Sequence, residues 1–196
     1  MNSPSFAVTN QQKIELLRLA RNSIKEYLIG GRSLPEAHSA IPPDVRCGAF
    51  VTLRNKGQLR GCIGHLADDL SLAEVVGKMA LEAAVRDWRF KAVSLPELSK
   101  IEIEISVLSP IRPIGKWQDI IIGRDGILLR KEGRSAVFLP QVAIEQGWSL
   151  QQTLDQLCRK AGLPPEGWRE NARLFTFQAD IFSDADFPDS QRSHFA

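Results

Sequence analysis

Residues 101–108 read Ile-Glu-Ile-Glu-Ile-Ser-Val-Leu, apolar and polar in nearly strict turn. Only an extended strand sends alternate side chains to opposite faces, so the chain contains a sheet with one covered and one solvated face. Three segments carry the 3.6-residue period of helices able to cover it. Thr9 with Gln12 opens the first, whose Leu17, Ala20, Ile24, Tyr27 and Leu28 form one stripe before Gly30-Gly31 stops it. Ser71 with Glu74 opens the second, which buries Leu72, Val75, Val76, Met79 and Ala83 and runs to about Arg86. Ser149 with Gln152 opens the third, lined by Leu150, Leu154, Leu157, Cys158 and Ala161 and closed by Gly162 and Pro164-Pro165. In each pair the first side chain takes an orphan amide of the opening turn, and the second reaches back to the cap.

Two hairpins complete the pattern. Cys47–Leu53 and Leu59–Ile63 flank the turn at Arg54–Gln58, and Gly126–Arg130 and Ser135–Leu139 flank Lys131-Glu132-Gly133-Arg134. Leu174–Phe182 reads as a last strand, and Arg32–Arg46, with Pro35, Pro42 and Pro43, as a loop. A short helix is expected from Pro140, and the polar stretch Asp184–Ala196 as a fraying tail. Helices and antiparallel hairpins interspersed without regular strand–helix alternation define an α+β fold. No Gly/Ser linker marks a boundary between lobes.

Several classes of function fall away. The 196 residues carry 25 Lys and Arg against 23 Asp and Glu, a formal charge of +2, too even for an obligate nucleic-acid binder. No apolar run approaches the ~20 residues that cross a bilayer. Met1–Asn10 lacks a basic stretch followed by an apolar one, and three cysteines make no disulfide framework, so the expected compartment is the cytoplasm. The cysteines stand at 47, 62 and 158 and the histidines at 38, 65 and 194, without Cys-x-x-Cys or His-x-x-x-His spacing. No metal site and no cofactor follow from them.

The chemistry concentrates at Leu59-Arg60-Gly61-Cys62-Ile63-Gly64. Glycines within a strand weaken it unless a ligand or another backbone comes close, which singles out Gly61 and Gly64. Cys62 is the candidate nucleophile or thiol carrier. Arg60, two residues away and on the same strand face, is the candidate electrostatic stabiliser and anion fork. His65 and Asp87 are candidate proton handlers. In Arg86-Asp87-Trp88-Arg89-Phe90, Arg89 is a candidate ligand contact, whereas Trp88 and Phe90 are expected in the core, and Cys158 on its apolar stripe likewise. Trp117, Trp148 and Trp168 are expected to pack rather than to stack on a ligand. Cys47 and Cys62 are placed to face one another across the first hairpin.

The hexapeptide matches, in all six positions, the signature of the AMMECR domain family. Leu139-Pro140-Gln141-Val142-Ala143, Glu145, Trp148 and Leu157–Leu163 resemble its later block, and Asp87-x-Arg89-Phe90 a third motif in which Trp88 stands where the family commonly has proline. The similarity runs from the first helix to about Phe182, so residues 1–183 are identified as one AMMECR domain. The resemblance implies two unequal lobes forming a cleft, with the hexapeptide near it. It also implies, as partners, a Memo-like protein and a radical S-adenosylmethionine protein, the chain being component A of that three-part system. The leading expectation is a small anionic ligand bound at Arg60, Gly61, Gly64 and Arg89, with Cys62 thiol chemistry. A non-catalytic protein-interaction module is the alternative from another class, and nucleic-acid binding stands behind both. Whether the chain is an enzyme stays open at this point.

Overall fold

The computed structural model describes residues 8–30, 41–42 and 44–188. His38, His194, Pro35, Pro43 and the part of the tail beyond residue 188 lie outside the described residues. Along the chain run α1 (Asn10–Ile29), β1 (Ala49–Asn55), β2 (Gln58–His65), α2 (Leu72–Val85), the single turn α3 (Leu95–Leu98) and β3 (Ile101–Leu108). Then follow β4 (Arg112–Pro113), β5 (Gly126–Lys131), β6 (Arg134–Phe138), α4 (Pro140–Glu145), α5 (Leu150–Lys160), β7 (Arg173–Phe177) and β8 (Ala179–Ser183). The fold is α+β, and it divides into two compact units, one from the described residues up to Val107 together with those from Asp180, the other Leu108–Ala179.

The first unit holds a four-stranded sheet in the order β2-β1-β3-β8, with β1 antiparallel to both β2 and β3. Its covered face carries Val51 and Leu53 of β1 and Ile103, Ile105 and Val107 of β3, packed with Leu17, Ala20 and Ile24 of α1 and Val75, Val76 and Met79 of α2. All three expected capping boxes form, Thr9 with Gln12 on α1, Ser71 with Glu74 on α2 and Ser149 with Gln152 on α5. The first hairpin turns on Lys56 and Gly57 and the second on Glu132 and Gly133, each pair at positive φ. Two residues of that kind match the twist of the strands they join, which explains the similar turn sequences.

The second unit holds a sheet in the order β4-β7-β5-β6. Its core gathers Ile127 and Leu129 of β5, Leu154, Leu157 and Cys158 of α5, and Trp168, whose ring meets that of Trp117 edge-on at 5.1 Å. The Trp168 indole N–H donates to Asp155 at 2.8 Å, satisfying a buried polar group.

Four expectations change. The stretch Leu174–Phe182 is not one strand: Gln178 ends β7 in the second sheet, and β8 enters the first. Asp184 does not begin a frayed tail, because Asp184–Asp186 form a 3-10 turn capped by Ser183, with Asp184 buried. The polar face of the first sheet is not solvated throughout, since Thr52 and Ser106 are buried. Trp88 lies outside the core altogether, 90% exposed, and Phe90, expected in the core with it, is only half-buried and belongs to neither core cluster. No helix among the described residues is long and apolar enough to cross a membrane.

Candidate functional site at Cys62

β2 is the edge of its sheet, so its outer backbone groups lack a neighbouring strand. The chain supplies a substitute directly after α2. The Asp87 carboxylate accepts the Cys62 amide at 2.9 Å, and Arg89 Nη2 donates to the Cys62 carbonyl at 3.4 Å. Asp87 also accepts Arg89 Nη2 at 2.6 Å, Arg89 Nε at 2.9 Å and the Arg89 amide at 3.2 Å. With four N–H donors around it and 4% exposure, this carboxylate is fully satisfied. The Arg89 guanidinium is the main cause that lowers the Asp87 pKa to about 2, against the opposing effect of burial. Asp87 is therefore an ionised acceptor at neutral pH, which does not suit it to the expected role of proton handler.

The glycines have internal explanations. A Cβ on Gly61 would stand 2.2 Å from the Ala83 carbonyl oxygen, so the end of α2 lies directly on the strand. A Cβ on Gly64 would stand 2.1 Å from the ring of Phe50, its cross-strand partner. At Gly61 the close approach is that of another backbone, one of the two expected alternatives, and at Gly64 that of a side chain, so neither position is left open to a ligand. The same device recurs in the second sheet, where the Phe177 ring covers Gly126.

Arg60 departs from the simple strand pattern. Leu53 pairs with Gly61 but Arg54 pairs with Leu59, so Arg60 is the extra residue of a β-bulge. Its guanidinium turns to Glu97 of α3, Nε to Oε1 at 2.7 Å and Nη2 to Oε2 at 3.1 Å, while Nη1 is buried with no partner among the described residues. Glu97 was not legible as a site residue, because nothing local in the sequence joins it to a strand 37 positions away. The Phe90 ring has both guanidiniums against it, Arg60 at 5.9 Å and Arg89 at 5.4 Å from its centroid.

Cys62 itself is half-buried, and its Sγ accepts from the Thr52 hydroxyl at 3.3 Å. Thr52, not Cys47, stands opposite it in the hairpin, so the expected facing of two thiols does not form. Burial, with the Asp68 charge, pushes the Cys47 thiol up to about 11. His65 falls on the covered side of β2 with Ile63, away from Cys62, and its ring meets Asp69 at 2.5 Å. The structure thus brings Cys62, Asp87, Arg89, Phe90 and Arg60 together and leaves His65 apart. Cys158 is buried, which raises its pKa, as expected of a core thiol. Among the described residues no group of three His, Cys, Asp or Glu side chains is placed to hold a metal.

An α+β chain whose edge strand presents a half-buried cysteine, clamped at both main-chain groups by an Asp–Arg pair, is the class defined here. The family model AMMECR1 matches residues 17–182, and the chain belongs to that family. It is 40% identical over 182 residues to Protein PF1979 of Pyrococcus furiosus, covering 86% of each chain. Over 192 residues it is 38% identical to Protein PH0010 of Pyrococcus horikoshii, covering 91% of this chain and 93% of that protein. The crystal structure of that uncharacterized protein superposes with a TM-score of 0.84 at 37% identity, covering 90% of this chain and 93% of the other.

Proposed function

We propose that the surface around Leu59–Gly64 binds a small anionic ligand beside the Cys62 thiol, and that the thiol takes part in what is done to it. The observation that carries this reading is Arg89. Its Nε and Nη2 are spent on Asp87, Nη2 also reaches the Cys62 carbonyl, and its side chain is 42% exposed. A guanidinium held at the Cys62 main chain and half open to solvent offers its remaining edge to a carboxylate or phosphate. The buried Nη1 of Arg60 is a second donor that an acceptor on a ligand would satisfy. Gly61 and Gly64 serve the site by letting α2 and Phe50 seat the strand rather than by touching the ligand. The pathway is the one the family resemblance implies, with a Memo-like protein and a radical S-adenosylmethionine protein in the cytoplasm. An untargeted metabolite capture with the purified chain tests this: an anionic compound retained by wild type and lost in both Cys62→Ser and Arg89→Lys supports it. Equal capture by all three proteins, or none by wild type, contradicts it.

One observation favours the non-catalytic alternative. Trp88 is 90% exposed at the tip of the segment that clamps Cys62, and an exposed tryptophan is a common anchor of protein interfaces. On that reading the same surface docks a protein partner, and Trp88→Ala abolishes the complex while Cys62→Ser preserves it.

A further inference from the structure

A cavity of about 480 Å³ opens in the first unit, between α1, the single turn α3, the start of β3 and the Asp184–Asp186 turn. That volume is the size of a small-molecule site. Its apolar wall is Leu95, Leu98 and Ile101, and its cationic wall is Arg21, Lys25 and Lys100.

Arg21 makes this a built wall rather than a chance dent. It is buried on α1, donating through Nη1 to the Leu98 carbonyl at 2.8 Å and through Nη2 to the Ile101 carbonyl at 2.8 Å and to Asp184 at 2.5 Å. Asp184 in turn accepts the Ile103 amide at 3.2 Å. One guanidinium thereby ties α1 to the end of α3, to β3 and to the Asp184–Asp186 turn, the elements that line the cavity. Asp184 is consumed by Arg21. Glu102 is the other lining acid, and Lys25 and Lys100 take part in none of the ion pairs among the described residues. A short apolar wall beside two uncommitted amines matches one kind of ligand.

We infer that this cavity binds a small amphipathic anion, a carboxylate, sulfonate or phosphate monoester with a compact apolar body. The acid group lies between Lys25 and Lys100, and the body lies on Leu95, Leu98 and Ile101. This site shares no residue with the surface around Cys62, and its occupation needs no thiol.

The probe that tests it is 8-anilinonaphthalene-1-sulfonate, with N-phenyl-1-naphthylamine as its neutral counterpart. The full-length chain should bind the sulfonate saturably at one site, with amide shifts at Leu98, Ile101 and Ala185 that saturate at the same midpoint. The double variant Lys25→Glu, Lys100→Glu should weaken the sulfonate at least tenfold and the neutral probe less than twofold, whereas Trp88→Ala should change neither. Absence of saturable binding, shifts confined to other residues, or an affinity indifferent to the charge reversal would overturn the inference. The wild-type amide map stands alone if the double variant does not fold.

Discussion

Asp87 and Cys62 are joined across the open edge of a sheet: the carboxylate accepts the Cys62 amide at 2.9 Å, and its partner Arg89 reaches the Cys62 carbonyl. An Asp–Arg pair thus does at one position what an adjacent strand would do along a row. The consequence is a cysteine whose main chain is fixed on both sides while its thiol stays half-buried. Fixing the backbone rather than the side chain holds the sulfur in place without enclosing it.

Asp87→Asn should cost on the order of 2 kcal/mol of stability at pH 7, because the folded carboxyl titrates at about 2 and the unfolded one near the ordinary value of 3.8. A depressed folded pKa stabilises the native state fully above the unfolded pKa and loses that contribution as pH falls toward the folded one. The difference between wild type and variant in urea unfolding should therefore hold from pH 7 to about 4 and shrink steadily toward pH 2.

Gly61→Ala should lower stability by about 2 kcal/mol or more, because the added methyl meets the Ala83 carbonyl oxygen, a backbone atom that cannot step aside. Gly57→Ala, with open space around its Cβ but a positive φ, should cost less, about 1 kcal/mol. Thermal unfolding of the two variants side by side checks the order.

What could be read before any coordinates is what depends on near neighbours in the chain. The capping boxes at Thr9, Ser71 and Ser149 span three residues each, and the alternation of Ile101–Leu108 is its own signal. Contacts between distant segments leave no such mark. That Gly61 makes room for Ala83, that Gly64 lies under Phe50 and that Arg60 answers to Glu97 follow only from the packing of α2 and α3. Gln178 separates the two strands, and Gln178-Ala179-Asp180, three residues that are not strand formers, is the only local mark of the change of sheet. Trp88 looked like core because aromatics usually are, and its neighbours Asp87 and Phe90 do face the protein. In the site, the residues Cys62 and Arg89 were legible from their chemistry, and the task of Asp87 was not.

Arg60 and Glu97 should behave as one unit. Arg60→Lys and Glu97→Gln each break a two-pronged pair and should each lose roughly 1–3 kcal/mol, while the double variant should lose little more than either alone. A double-mutant cycle by chemical unfolding measures this, and fully additive losses would show that the pair is not coupled.

Trp88→Ala should leave the melting temperature unchanged within the ~0.5 kcal/mol expected of a surface substitution, since the side chain is 90% exposed. A marked loss of stability would mean that the indole packs on the protein after all.

The central claim, a reactive Cys62 made so by the Asp87–Arg89 clamp, is tested most directly by residue-resolved alkylation of the folded protein with iodoacetamide between pH 6 and 9. Cys47, raised to about 11, and the buried Cys158 serve as internal references in the same sample. The account predicts that Cys62 is modified first, ahead of Cys47 and Cys158, and that Arg89→Gln slows it at pH 7 while the fold persists. A Cys62 that stays unmodified until the protein unfolds, or that reacts at the same rate in Arg89→Gln, would contradict it.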